Sequence, residues 1–141
     1  MAFEIPSMAT THLEPGCVIK CWQPTPNVFV THAVGHLSET CVQYYASRAE
    51  RALRRGETIT PCHHWLGVRG YSAEARRWIT EWLARWDAQL NPAELLISSP
   101  LVMMGTYVAN METKRSVTVH SREEDFVAAL ARLIRQSTLP T

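Results

Sequence analysis

Histidine and cysteine side chains are the residues of this chain best suited to chemistry, because they bind metals, carry protons and act as nucleophiles. The chain has four cysteines, Cys17, Cys21, Cys41 and Cys62, and two histidines, His63 and His64, directly follow the last of them. Cys17 and Cys21 have the spacing of a zinc-binding pair. On a strand, however, their Cα atoms would lie ~13 Å apart, too far for joint coordination. We therefore expect buried or free thiols and no metal site.

Sequence signatures of hydrolysis and of phosphate binding are missing. The chain has no G-x-S-x-G turn for a nucleophilic serine and no glycine-rich phosphate loop. Residues 67–70 are too few for such a loop and lack a following Lys-Ser/Thr pair. Cys62 and His63 are neighbours on a predicted strand, so their side chains cannot hydrogen-bond to each other as a nucleophile and its base. The sequence predicts no catalytic residues and no cofactor.

A pocket lined by histidines is the alternative. If His32, His36, His63 and His64 surround a pocket at the edge of a sheet, the chain would be a small-ligand binder or an enzyme without a recognisable motif. A concave pocket with at least two of these histidines would favour this hypothesis. A flat or filled surface at that place would favour a non-catalytic scaffold.

Length and composition narrow the class of protein. A chain of 141 residues fits one domain, here placed at 16–136 between an extended lead-in (1–15) and a frayed end (137–141). Its net charge of +1 does not favour nucleic acid or an anionic membrane as a partner. It has no apolar run of the roughly 20 residues that span a bilayer and no signal peptide at its start. We expect a cytoplasmic protein.

Strand and helix patterns alternate along the chain, which predicts an α/β fold. Strands are predicted at 17–22, 28–34, 59–66, 94–99 and 116–120, and helices at 39–55, 73–90, 101–111 and from 121 onward. Ser38 and Ser72 are suitable N-caps, and Ser121 with Glu124 matches a capping box. The first two strands form an antiparallel hairpin, and helical crossovers make the others parallel. The prediction is a mainly parallel sheet of about five strands with four helices.

Several stretches of this pattern resemble one known family. They are His63-His64-Trp65 before Gly70-Tyr71-Ser72, then Trp82, residues 99–105 and residues 121–126. Together they resemble the STAS-like family, the fold of bacterial anti-sigma-factor antagonists, and in particular its STAS/SpoIIAA-like bacterial branch. The likeness covers roughly residues 16–136 and is more specific for fold than for function.

The resemblance implies a function in binding other proteins. Members of the wider family often carry a serine, as a phosphorylation switch, at the start of the helix after the third strand, and Ser72 occupies about that position. The acidic-Ser-Ser/Thr-Gly signature of that switch is missing here, because the local sequence is Gly70-Tyr71-Ser72-Ala73-Glu74. Phosphate at a helix N-terminus would be stabilised electrostatically, but N-capping alone also explains a serine at this position.

We therefore predict a non-catalytic protein-interaction, regulatory or scaffold module. Its partner surface would combine a loop at 67–72 with the Met-rich helix at 101–111, since segments that follow successive parallel strands lie at one edge of a sheet. The residues predicted to contact the partner, a protein of unknown identity, are Gly70, Tyr71, Ser72, Met103, Met104 and Tyr107. Pairing of the first strand with its copy would give a homo-oligomer.

Overall fold

The computed structural model describes residues 2–98 and 117–138 and begins with three consecutive strands, after which helices and further strands follow. The strands are β1 (Thr10–Glu14), β2 (Cys17–Thr25), β3 (Val28–Leu37), β4 (Thr60–Tyr71), β5 (Glu94–Ile97) and β6 (Thr118–His120). The helices are α1 (Glu39–Arg54), α2 (Ala73–Arg85) and α3 (Glu123–Thr138), with a short 3₁₀ helix at Asp87–Gln89. The strands form one sheet in the order β1-β2-β3-β4-β5-β6.

The pairing of neighbouring strands changes once across this sheet, from antiparallel to parallel. The strands β1, β2 and β3 pair antiparallel, whereas β3, β4, β5 and β6 pair parallel. Right-handed crossovers that all advance in one direction place their helices on one face, and α1 and α2 accordingly pack together there. The helix α3 packs on the opposite face, through Phe126. The predicted α/β fold, with a hairpin followed by parallel strands, is confirmed.

The predicted numbers of strands and helices differ from those observed. The sheet has six strands because Thr10–Glu14, in the predicted lead-in, pairs with β2 as an edge strand. Most residues of β1 are polar, and the side chains on one of its faces are half-buried while those on the other face are exposed. Its sequence therefore lacks the apolar alternation of a core strand. The described residues contain three helices, so the predicted four are not matched there. The helix predicted at 101–111 lies outside the described residues.

The loop predicted at residues 67–71 is wrong, because β4 continues to Tyr71. Its partner β3 is also longer than predicted, so Gly67 pairs with Val34 and Tyr71 with Leu37. A Cβ atom at Gly67 would lie 3.0 Å from a methyl carbon of Val34. This glycine therefore permits close packing between two strands, a role that a glycine inside a strand often has.

Two helices begin directly after the serine N-caps that the sequence predicts. Ser38 Oγ accepts a hydrogen bond from the Cys41 amide at 3.1 Å, and Ser72 Oγ accepts one from the Ala75 amide at 3.0 Å. Both predicted N-caps are confirmed. The last helix instead begins at Glu123, two residues beyond the predicted start.

Candidate functional site

A cavity of about 120 Å³ lies between the sheet and the helices α1 and α2. Its walls are almost entirely apolar side chains from both layers, including Phe29, Tyr45, Trp65, Ile79, Trp82 and Leu95. Two small residues, Ala49 of α1 and Ala75 of α2, also line the cavity beside these larger side chains. For comparison, a dry apolar cavity of ~150 Å³ binds benzene. The space therefore suits a small apolar molecule.

The side chains around the cavity are also tied together across the two helices. Trp82 of α2 is 2% exposed, and its indole Nε1 donates a hydrogen bond to Glu50 Oε1 of α1 at 2.8 Å. This bond satisfies the polar atom of a buried ring and fixes the distance between the helices. The roof of the cavity is thus held by a specific contact as well as by apolar packing.

Three side chains from neighbouring strands form a hydrogen-bonded row at the floor of the cavity. Thr31 of β3 is fully buried, and its hydroxyl lies 2.7 Å from His63 Nδ1 of β4. Trp65, two residues further along β4, donates from its indole Nε1 to Thr31 Oγ1 at 2.9 Å. His63 and Trp65 both line the cavity. The row connects the cavity wall to the centre of the sheet.

The donors of this row favour one tautomer of His63. An indole N–H can only donate, so Thr31 Oγ1 accepts from Trp65 and keeps its own hydrogen to donate. Donation of that hydrogen to His63 Nδ1 satisfies all three groups and leaves the proton of the imidazole on Nε2. Among the described residues, His63 Nε2 has no hydrogen-bond partner. His63 lines the cavity, so we assign this N–H as an unpaired hydrogen-bond donor of a lining residue.

Burial keeps two polar groups of this site neutral, the His63 imidazole and the Tyr45 phenol. It lowers the pKa of His63 to about 3, so the imidazole is uncharged at pH 7. Burial also raises the pKa of the Tyr45 phenol above its ordinary value, and the nearby Tyr71 phenol raises it further. The cavity thus combines an apolar wall, which disfavours charged ligands, with a neutral donor and a neutral phenol. The cationic side chain of Arg76 also belongs to its lining.

The overall architecture has a counterpart among solved structures. The chain is similar to an uncharacterised protein of the DUF3478 family from Shewanella loihica PV-4, whose structure is described as having a SpoIIAA-like fold. The likeness has a TM-score of 0.61 at 17% sequence identity, and it covers 91% of this chain and 99% of the other. The fold is SpoIIAA-like. The sequence matches no family model and no curated protein.

The SpoIIAA-like sheet does not bring the four predicted histidines together. Only His63 lines the cavity, while His32 and His64 lie on the opposite face of the sheet, with ring centroids 5.0 Å apart. His36 is exposed near the end of β3. Neighbouring strand residues point to opposite faces, so His63 and His64 cannot share one pocket. The predicted cluster of histidines is wrong, although one of its members does line a pocket.

The two histidines on the opposite face have their own surroundings. His64 Nε2 lies 2.7 Å from Glu123 Oε1 of α3, and the ring of Phe3 stacks on His64 with centroids 4.2 Å apart. Burial lowers the pKa of His32, and the neighbouring His64 and Lys20 contribute to that shift. These contacts attach the N-terminal segment and α3 to the SpoIIAA-like sheet.

The residues predicted to bind a protein partner are only partly in the described chain. Gly70 is buried within β4, and Tyr71 lines the cavity from the end of that strand. Ser72 is the N-cap of α2 and its hydroxyl accepts the Ala75 amide, an arrangement that leaves the phosphorylation hypothesis untested. Met103, Met104 and Tyr107 lie outside the described residues. A partner surface built from these residues stays a prediction.

Two cysteines expected to be free thiols are instead linked. Cys17, at the start of β2, forms a disulfide with Cys41 in the first turn of α1. Cys21 and Cys62 are buried and free, as expected. Because 24 residues separate the linked pair, no local spacing could indicate it. The packing of α1 on the sheet brings the two sulfur atoms together.

Sequence reasoning also missed the partners of His63 in the cavity. Thr31 and Trp65 fall in predicted strands and Tyr45 in a predicted helix, and none of the three is predicted to belong to a site. Period-two alternation places Thr31 among buried neighbours, which is a weak signal that its hydroxyl needs a partner inside. The pairing of Thr31 with His63 depends on the parallel register of β3 and β4.

Proposed function

We propose that this chain is a non-catalytic ligand-binding module with a SpoIIAA-like fold, and that its ligand is a small, uncharged, mainly apolar molecule. The cavity beneath α1 and α2 is the observation that supports this proposal. Burying the surface of such a ligand would contribute about 25 cal/mol per Å² of apolar area. Ligand sites in proteins are commonly concave and apolar, with few polar groups that fix orientation.

His63 supplies that orienting group. Its Nε2 donates into an apolar space, so a ligand with one hydrogen-bond acceptor would satisfy a donor that is otherwise unpaired within the described residues. The network Trp65–Thr31–His63 orients the ring and favours the tautomer with the proton on Nε2. We therefore infer that the preferred ligand carries a single acceptor, such as a ring nitrogen or a carbonyl oxygen, on a small apolar frame.

The lining supports binding rather than catalysis. Among the described residues that line the cavity, there is no carboxylate, thiol or serine that could act as a nucleophile next to His63. The depressed pKa of His63 also makes its imidazole a weak base at neutral pH. Binding with orientation is the chemistry that this set of side chains can perform.

Benzene and pyridine form a matched pair that tests the donor. They have nearly the same shape, but only pyridine has an acceptor, so the ratio of their dissociation constants reports the hydrogen bond to His63. We expect both to bind the wild-type chain, measured by calorimetric or NMR titration at pH 8. His63→Phe should weaken the binding of pyridine relative to that of benzene by roughly tenfold, or about 1–2 kcal/mol.

His36→Phe is the control for this titration, because His36 is exposed and does not line the cavity. That variant should leave the ratio unchanged. If neither compound binds the wild-type chain at millimolar concentration, the cavity is not a ligand site. If both bind and His63→Phe leaves the ratio as it was, His63 is not the orienting donor.

Self-association through β1 is a second proposal, supported by the exposed edge of the sheet. Within residues 2–98 and 117–138, β1 pairs only with β2, and Leu13 on it is 74% exposed. Leu13 and Val34, which is 42% exposed, share a face of the sheet through their common neighbour Val18. An edge strand with an exposed apolar residue is a template for pairing with a copy of itself.

Light scattering coupled to size exclusion tests this pairing. The wild-type chain should elute with the mass of two chains, and Leu13→Lys should convert it to one, because a lysine on an edge strand opposes pairing. Met8→Lys is the matched control, since Met8 is 62% exposed but lies outside β1. A wild-type chain that remains monomeric at high concentration would contradict the proposal.

A further inference from the structure

One group of three metal-binding side chains comes together in the described residues, beside the turn between β1 and β2, and none of the three lines the cavity. A carboxylate oxygen of Glu14 and the sulfur atoms of Cys17 and Cys41 all lie within 4.8 Å of one another. Both cysteines are buried, while Glu14 keeps 24% of its side chain exposed. We call these three residues the Cys17 cluster. It combines two soft ligands with a carboxylate, and Glu14 leaves it a route to solvent.

The scaffold around the Cys17 cluster is fixed by contacts that do not involve sulfur. The His36 amide donates to the Gly16 carbonyl at 2.9 Å. Gly35 has a φ of +104°, and a Cβ atom there would overlap that same carbonyl oxygen. The turn that carries Cys17 is therefore held by backbone contacts as well as by the disulfide.

Glu14 is held in the same way. Ser38 Oγ, the N-cap of α1, lies 2.9 and 3.0 Å from the two carboxylate oxygens of Glu14 and donates to them. The same hydroxyl accepts the Cys41 amide. His12 Nε2 lies 2.9 Å from Glu14 Oε1, and its ring stacks on Tyr44. A fourth side chain with a ligand atom is thus directly beside the cluster.

We propose that the reduced protein binds one soft divalent cation of the zinc type at the Cys17 cluster. The thiolates of Cys17 and Cys41 and the carboxylate of Glu14 would be three ligands, with the His12 imidazole in the fourth position. Zinc favours this mixture of sulfur, nitrogen and oxygen in four-coordinate geometry. The N-terminal end of α1 also stabilises the negative charge that the ligands bring there.

The separation of the two cysteines suits an ion between them. Their Cα atoms lie 7.4 Å apart, beyond the usual disulfide range of about 4.4–6.8 Å. In a tetrahedral zinc site, Zn–S bonds of about 2.3 Å place two sulfur atoms roughly 3.8 Å apart. Two side chains that now meet directly would therefore need to separate only slightly to accept a cation.

The disulfide and the metal site exclude each other, because they use the same sulfur atoms. A dithiol reductant cleaves the Cys17–Cys41 bond by thiol exchange, which gives two protein thiols and the oxidised, cyclic form of the reductant. Binding of a divalent cation then displaces the two thiol protons to solvent. Oxidation by a small disulfide reverses the first step and releases the cation. Cation binding would thus occur only in the reduced protein.

Cobalt(II) titration of the full chain tests this proposal, because tetrahedral cobalt thiolates give a charge-transfer band in the near ultraviolet and strong visible bands. We expect one equivalent to bind after reduction with a dithiol and removal of the reductant, and none to bind the oxidised protein. Zinc(II) should displace the cobalt and remove the bands. Glu14→Gln and His12→Ala should each weaken binding by on the order of tenfold or more.

Substitution of each cysteine locates the site. Cys17→Ser and Cys41→Ser should abolish the charge-transfer band, while Cys21→Ser, a buried cysteine outside the cluster, should keep it. If the first two variants fail to fold, alkylation of the reduced wild-type chain with and without zinc replaces them, and mass spectrometry should find Cys17 and Cys41 protected. A reduced wild-type chain without a charge-transfer band would show that the pair is a disulfide only, and would overturn the proposal. So would a band that survives in Cys17→Ser, or zinc protection confined to Cys21 and Cys62.

Discussion

Lowering the pH from 7 to 4 should reduce the free energy of unfolding by several kcal/mol, and His63 should account for much of the loss. Burial depresses the pKa of this histidine to about 3 in the folded chain, against 6.5 as its ordinary value. Between these values the unfolded chain takes up a proton that the folded chain excludes. The stabilisation is therefore complete above pH 6.5 and falls as the pH drops toward 3.

The size of the effect follows from the same difference. Each pH unit within this window costs up to about 1.4 kcal/mol, which gives roughly 3–5 kcal/mol in total. Typical domains have only about 5–15 kcal/mol of stability, so the wild-type chain should approach unfolding near pH 4. Urea titrations at several values between pH 4 and 8, followed by tryptophan fluorescence, measure the slope.

His63→Phe removes the titrating group while keeping a ring of similar size, so it should flatten most of that slope. His32→Phe should flatten a smaller part, because burial lowers the pKa of His32 in the same direction. His36→Phe changes an exposed side chain and serves as the matched control. A pH dependence that is equally steep in wild type and in His63→Phe would contradict the assigned cause.

Thr31→Val should be the most damaging isosteric substitution in the sheet. Valine keeps the β-branched shape and the strand preference of threonine, so the change removes little besides the hydroxyl. Without it, the Trp65 indole N–H and His63 Nδ1 both lose their only hydrogen-bond partner in the described chain. Each unsatisfied buried group costs about 1–3 kcal/mol, so a loss of roughly 2–5 kcal/mol is expected at pH 7.5.

Thr60→Val is the matched control for this measurement. Thr60 is also a buried strand threonine, but its hydroxyl accepts from Asn91, an exposed residue whose amide can turn to water. Its loss should cost less than about 1 kcal/mol. Nitrogen-15 NMR of the His63 ring provides a second readout, since the Nε2–H tautomer should dominate in wild type and lose its preference in Thr31→Val. A cost for Thr31→Val no larger than that of Thr60→Val would disprove the row of hydrogen bonds.

Local sequence determined the elements with regular periodicity and recognisable ends. The two capping serines, Ser38 and Ser72, mark helices whose first residues were predicted correctly, because an N-cap bond joins residues only three apart. The antiparallel hairpin followed by parallel strands was also predictable, since it follows from the order of strands and helices and the handedness of crossovers. Opposite faces for His63 and His64 followed from the period of a strand.

Tertiary structure decided the features that depend on pairing between distant segments. β1 is a strand because β2 offers it an edge, and the end of β4 is a strand because β3 extends beside it to Leu37. The contact between Thr31 and His63 crosses 32 positions of sequence, and the Cys17–Cys41 link crosses 24. The sequence pattern of a segment reports the periodicity of that segment. It does not report which residues of a distant segment lie beside it. The sequence therefore indicates His63 and Cys17 as candidates for chemistry, while the packing of the sheet and α1 determines which side chains contact each of them.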